Sequence, residues 1–182
     1  MPVFVGSRLY NGPMPEQSIR STTEAFAEFT AILGRDGLRP ALARMLEQSS
    51  FRFIGAWRFD GDMSAPAVHY DRENPEVLDV APVPASATYC SFIRAQEQPF
   101  STAYAVLDAR LLGHPARDTV ASYTGVPLLD AQGAVIGTLC HYDLVPRDVA
   151  GVDQQLALLA AGYIMAGGFL PPYPTAPAAG GA

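Results

Sequence analysis

Apolar positions recur every three to four residues in two short stretches near the start of the chain, then switch to a period of two. Ala25, Phe26, Phe29, Ile32 and Leu33 follow the possible N-caps Ser21, Thr22 and Thr23 and run to Gly34, which predicts a first amphipathic helix. Leu38, Leu42, Met45 and Leu46 repeat on one face of a second helix, with Pro40 tolerated in its first turn. From Phe51 the pattern alternates. Phe51, Phe53, Gly55, Trp57 and Phe59 interleave with Arg52, Ile54, Ala56 and Arg58, predicting a strand with one aromatic face. Asp60-Gly61-Asp62 is turn chemistry, and Ala67 to Asp71 reads as the return strand of a hairpin.

Prolines at 75, 82 and 84 predict an irregular connection over residues 73–87. A short helix is expected over 88–94, a strand over 100–107, and a loop with a helical turn over 108–118. Two strands, 122–129 and 134–142, flank the four-residue loop Asp130-Ala131-Gln132-Gly133, the hairpin that the pattern marks most strongly. After Pro146 a helix carries Val152, Leu156, Leu159, Ala160 and Tyr163 on one stripe and stops at Gly167-Gly168. Residues 1–21 read as an irregular N-terminal arm, 22–166 as one domain, and 167–182 as a Pro/Ala/Gly-rich tail.

This order predicts an α/β (α+β) domain. Its antiparallel sheet carries the N- and C-terminal helices on one face and loops with short helices on the other. The helices fill one face, so a pocket belongs beneath the loops.

Composition narrows the chemistry. The 182 residues are 49% hydrophobic and only 16% charged, as expected of one globular domain. A net charge of −6 opposes nucleic acid and anionic membranes as direct partners. All 12 basic residues are arginines, which excludes the Walker lysine, a pyridoxal Schiff base and a Ser/Lys dyad. Cys90 and Cys140 lie fifty residues apart without CxxC spacing, which predicts a reducing compartment rather than a disulfide framework. No apolar run reaches the ~18 residues of a membrane span, and the start has no secretory pattern; a cytoplasmic location is expected.

The stretch Ser122-Tyr-Thr-Gly-Val-Pro-Leu-Leu-Asp-Ala-Gln-Gly-Ala-Val-Ile-Gly-Thr-Leu-Cys-His-Tyr-Asp-Leu-Val-Pro-Arg147 resembles the hallmark hairpin of GAF domains. Tyr89-Cys90-Ser91-Phe92-Ile93 and Val106-Leu107-Asp108-Ala109 are similar to two further segments of that family, so the resemblance spans about residues 22 to 166. It implies a sensory or regulatory module that binds a small molecule or a partner protein, forms a homodimer, and passes its signal to a separate output protein. It names no particular cofactor. Gly125 and Gly137 within the paired strands permit a bulge or a close approach, and Pro127 suggests an edge or a break in the ladder.

The candidate ligand-binding residues are Trp57, Tyr89, Cys90, Phe92, Tyr104, Asp108, His114 and Tyr123. The aromatics supply walls, and Asp108 and His114 supply polar groups in the loop segment. Phe53 and Tyr70 are further aromatic candidates, and core packing is the competing role for all of these rings. Cys90 resembles in position one cysteine of free-methionine sulfoxide reductases of GAF type, which makes a thiol-dependent oxidoreductase the alternative. Residues 113–121 contain no second cysteine, so the redox cycle lacks an evident resolving partner and no catalytic residue is expected. Cys140 and His141, adjacent on a strand, face opposite sides and cannot share a metal ion; none is expected.

Overall fold

The computed structural model describes residues 21–174; all but the last residue of the arm predicted over residues 1–21, and the last eight residues of the tail, lie outside them. The first helix, α1 (Thr22–Asp36), starts at Ser21, whose hydroxyl accepts from the Glu24 amide while the Glu24 carboxylate accepts from the Ser21 amide. This reciprocal capping satisfies two amide donors at the helix start. Gly37, at φ 92°, separates α1 from α2 (Leu38–Leu46), a backbone angle that favours glycine.

The chain then forms β1 (Phe53–Asp60) and β2 (Met63–Asp71) as an antiparallel hairpin. The return strand starts four residues earlier than the pattern suggests, because the tight Gly61 turn places Met63 directly opposite Asp60. Two residues, β3 (Val83–Pro84), pair with the outer edge of β2, where a proline costs no ladder bond. The short helix, α3 (Cys90–Gln96), sits two residues later than expected.

The strand expected over residues 100–107 is corrected to β4 (Phe100–Thr102), followed by a 3-10 turn at Ala105–Leu107. Thr102 faces Tyr123, one residue from the start of β5 (Ser122–Leu129), so β4 runs out of partner and the chain leaves the sheet. β5 and β6 (Val135–Asp143) form the expected hairpin. The last helix is α4 (Gln154–Ala166), capped by Asp153.

All neighbours in the sheet are antiparallel, in the order β3-β2-β1-β6-β5-β4. The helices α1, α2 and α4 cover one face, with Phe29, Leu33, Leu42 and Ile164 packed on Ile54, Ala56, Val126 and Leu139. The other face carries Trp57, Tyr123 and Cys140 beneath Tyr89, Cys90, Ile93 and Leu111. One strand expectation fails: Phe51 precedes β1 and packs with the helices, not with Trp57. Tyr70 takes the core-packing role rather than the cavity wall, against that same helix-covered core. On α4 the buried stripe is Leu156, Ala157, Ala160, Ala161 and Ile164, while Leu159 and Tyr163 remain 41% exposed. That helix is apolar all round, so sequence period alone does not choose its buried face.

Candidate ligand-binding site

Cys140 is paired with Gly55 on one side and with Gly125 on the other. The two glycines make room for larger neighbours. A Cβ on Gly55 would lie 2.7 Å from the Trp57 Nε1, and one on Gly125 would lie 2.6 Å from the Tyr123 hydroxyl. The indole and the phenol therefore fold over the glycines and flank Cys140. Above this row α3 delivers Cys90, whose Sγ accepts from the Thr138 hydroxyl at 3.1 Å and lies 3.4 Å from the Tyr123 hydroxyl. Cys140 lines the same cavity wall, so two free thiols that are distant in sequence share one buried cluster.

A cavity of about 200 Å³ opens between these strands and the segment 83–120. Its walls include Trp57, Tyr89, Cys90, Tyr123, Cys140 and Tyr142, and no carboxylate, guanidinium or imidazole lines it among the described residues. Most of its polar groups already have internal partners. The Tyr89 hydroxyl donates to the Val120 carbonyl at 3.0 Å, and the Tyr142 hydroxyl lies 2.7 Å from His69 Nε2. Thr88 and Thr119 donate to the carbonyls of Ala85 and Ala116. The Trp57 Nε1 is different: it is buried and has no hydrogen-bond partner.

The electrostatics follow from burial and pairing. Hydrogen bonds from Cys140, and then from Thr138 and Tyr123, pull the Cys90 thiol below its ordinary range although burial opposes them. Burial, together with Cys90, pushes the Cys140 thiol up, so the pair gives up one proton early and holds the other. Burial raises Tyr89 to about 12 and raises Tyr123 and Tyr142 as well, keeping these phenols neutral.

The same sheet and helices recur in solved structures. The GAF domain of an Acinetobacter phosphoenolpyruvate-protein phosphotransferase superposes with TM-score 0.58 at 14% identity, covering 81% of this chain and 96% of that one. The chain has the fold of GAF domains. A free methionine-R-sulfoxide reductase from Neisseria meningitidis, solved with its substrate, gives TM-score 0.60 at 17% identity, covering 80% and 86% of the two chains. The chromophore-binding domain of a Stigmatella aurantiaca phytochrome gives 0.60 at 12%, covering 87% of this chain and 62% of that one. No sequence-family model matches the chain, and no curated protein matches it by sequence.

Within the GAF fold, Trp57, Tyr89, Cys90 and Tyr123 meet at the cavity wall. Phe92 and His114 stand behind it: Phe92 stacks on Phe100 at 4.6 Å, and His114 packs against Tyr89 at 4.9 Å. Tyr104 is 43% exposed, because the chain has already left the sheet there. Asp108 accepts from Arg110 through its own side chain and caps a 3-10 turn, outside the lining. Sequence reasoning missed Cys140, Thr138 and Tyr142. Their alternation on β6 already put Cys140 on the face opposite His141, but only the sheet order shows that this face meets Cys90.

Proposed function

We propose that this chain is a sensory or regulatory module whose cavity takes a small ligand and whose output passes through another protein. The observation that carries this reading is the uncharged cavity of about 200 Å³ beneath the loop-covered face of a GAF-type sheet. GAF neighbours with sensory roles support binding over catalysis. The test is a thermal-shift screen of metabolites on the wild type and on Ala116→Leu, which fills the lining at a buried alanine. A ligand specific for the folded protein raises its apparent stability. The reading requires a stabilising ligand whose effect disappears in Ala116→Leu and survives in Leu159→Ala on exposed α4.

The reading includes a homodimer built on α1 and α4, motivated by Leu158, Leu159 and Tyr163, each more than two-fifths exposed on α4. Light scattering at micromolar concentration tests it; a monomer there ends this part of the proposal. Free, buried thiols fit a reducing, cytoplasmic setting.

Two free thiols, Cys90 and Cys140, on one cavity wall favour a second reading as a thiol-dependent reductase, in which a sulfoxide is reduced to a sulfide and water while the two thiols become a disulfide. The binding reading leads, because the lining offers no charged partner for the ammonium and carboxylate of a free amino acid. Turnover of free methionine sulfoxide with a dithiol reductant, lost in Cys90→Ser, would reverse that order.

A further inference from the structure

We infer that the cavity selects a neutral, mostly apolar molecule of about the size of a substituted benzene ring, held by one acceptor oxygen on the Trp57 Nε1–H. The inference rests on the cavity being a ligand site and specifies what that ligand is.

Size sets the first limit. A cavity of about 200 Å³ is comparable to the ~150 Å³ apolar cavities that hold one benzene ring. Nucleotides and tetrapyrroles exceed it. Charge sets the second. An anion or cation entering the site loses its hydration and meets no oppositely charged side chain in the lining, which strongly disfavours charged ligands. Hydrogen bonding then fixes the polarity. The hydroxyls of Tyr89, Tyr142, Tyr123, Thr88 and Thr119 are engaged within the protein. The Trp57 Nε1 remains as a buried donor without an acceptor, on a side chain only 7% exposed. An indole nitrogen donates and cannot accept, so the complementary group is an acceptor such as a ketone or amide oxygen. An unsatisfied buried donor is costly, and an acceptor that relieves it gains more than an equivalent contact would in water.

Gly55 makes room for the indole itself. A Cβ there would lie 2.7 Å from Nε1 and 3.1 Å from Cδ1, so the ring edge that carries the donor rests over Gly55, beside its ladder partner Cys140 in the cavity wall. Any side chain at 55 would crowd the donor.

The experiment compares acetophenone, ethylbenzene and benzoate, three probes of similar size that carry a neutral acceptor, no acceptor and a charge. Binding is measured by titration calorimetry, and by the fluorescence of Trp57, the only tryptophan in the chain. Acetophenone is expected to bind about tenfold tighter than ethylbenzene, and benzoate more weakly than both. Trp57→Phe and Gly55→Ala should each bring acetophenone to the affinity of ethylbenzene while leaving ethylbenzene itself within about twofold in the glycine variant. Tighter binding of benzoate, or an acetophenone preference that survives Trp57→Phe in a folded variant, overturns the inference. Failure of all three probes overturns it too. The ligand-site reading is judged separately, by the Ala116→Leu screen.

Discussion

Gly125 stands directly opposite Cys140 in the β5–β6 ladder, and a Cβ on Gly125 would lie 2.9 Å from the Cys140 Cβ. The same added carbon would meet the Tyr123 hydroxyl at 2.6 Å and Ile93 Cδ1 at 2.9 Å. The absent side chain is thus what allows the phenol, the thiol and α3 to converge. Gly125→Ala is expected to cost about 1–3 kcal/mol through overpacking and to shrink the cavity. Urea unfolding measures the first effect, and loss of ligand-induced thermal shift measures the second.

Gly137 and Gly162 give opposite expectations for the same substitution. A Cβ on Gly137 would sit 2.0 Å from the Trp57 carbonyl oxygen, a backbone atom fixed by the β1–β6 pairing. Gly162, in α4, has no atom within 4 Å of its added Cβ. Gly137→Ala should therefore destabilise by about 3 kcal/mol or more, whereas Gly162→Ala should stabilise by about 0.5–1 kcal/mol through helix propensity. Thermal unfolding of the two variants side by side checks both signs.

Sequence reasoning was strongest where a local signal had one structural solution. The N-cap at Ser21 and the β5–β6 hairpin needed only neighbours a few residues away, whereas the first helix runs past the stop expected at Gly34 and ends at Gly37. It was weaker where the outcome depended on a distant partner. β4 ends at Thr102 because β5 begins at Ser122, and nothing near Tyr104 encodes that limit. The candidate site divides the same way. Tyr89, Cys90 and Tyr123 lie in the motif-like segments and do line the cavity, while Cys140 joins them only through the sheet order. Tyr104 and Asp108 belong to the same stretch of chain, yet the turns at Ala105–Leu107 and Ala109–Leu111 carry them away from the wall.

Asp71 accepts four hydrogen bonds: two from the Arg52 guanidinium at 2.9 and 2.8 Å, one from the Glu73 amide, and one from the Asn74 side chain. The Arg52 hydrogen bonds are the largest cause holding its carboxyl well below the ordinary carboxylate range, against the opposing effect of burial. Asp108 is held to about 2, chiefly by Arg110. A depressed carboxyl contributes stability that is present above its unfolded value, near 3.9, and is lost as pH falls toward its folded value. Stability should therefore fall in acid from about pH 4 downward. Asp71→Asn is expected to cost about 1–3 kcal/mol at neutral pH and to flatten the curve below pH 4, as read from denaturant titrations across pH.

His141 titrates in a different window. Burial on the helix-covered side, with a smaller effect from Arg72, holds its imidazole down to about 3. The unfolded chain takes up that proton near pH 6.5 and the folded chain does not, so folding is progressively disfavoured as pH falls from about 6.5 to about 3. The sign matches that of the carboxylates, but the onset is more than two units higher. His141→Leu should remove up to about 1.4 kcal/mol per pH unit of slope in that range. His69 and His114 are shifted the same way by burial, so some slope should remain. A wild-type slope unchanged in the variant would contradict this account.

The thiol pair offers the most direct view of the cavity wall. Cys90 is drawn toward its thiolate chiefly by Cys140 and secondarily by the Thr138 hydroxyl, while burial acts against it. Removing a donor leaves the burial penalty in place, so the thiol must become less acidic. Cys140→Ala is expected to move the pH midpoint of Cys90 alkylation by iodoacetamide upward, and Thr138→Val to move it upward by less. The reagent is small and neutral, which suits a lining without charged side chains. In wild type, Cys90 should react before Cys140, because burial and its partner raise the second thiol. Mass spectrometry of the alkylated peptides separates the two sites. Equal reaction of both cysteines, or a Cys90 midpoint that ignores both substitutions, would show that Cys140 and Thr138 do not control the acidity of the wall.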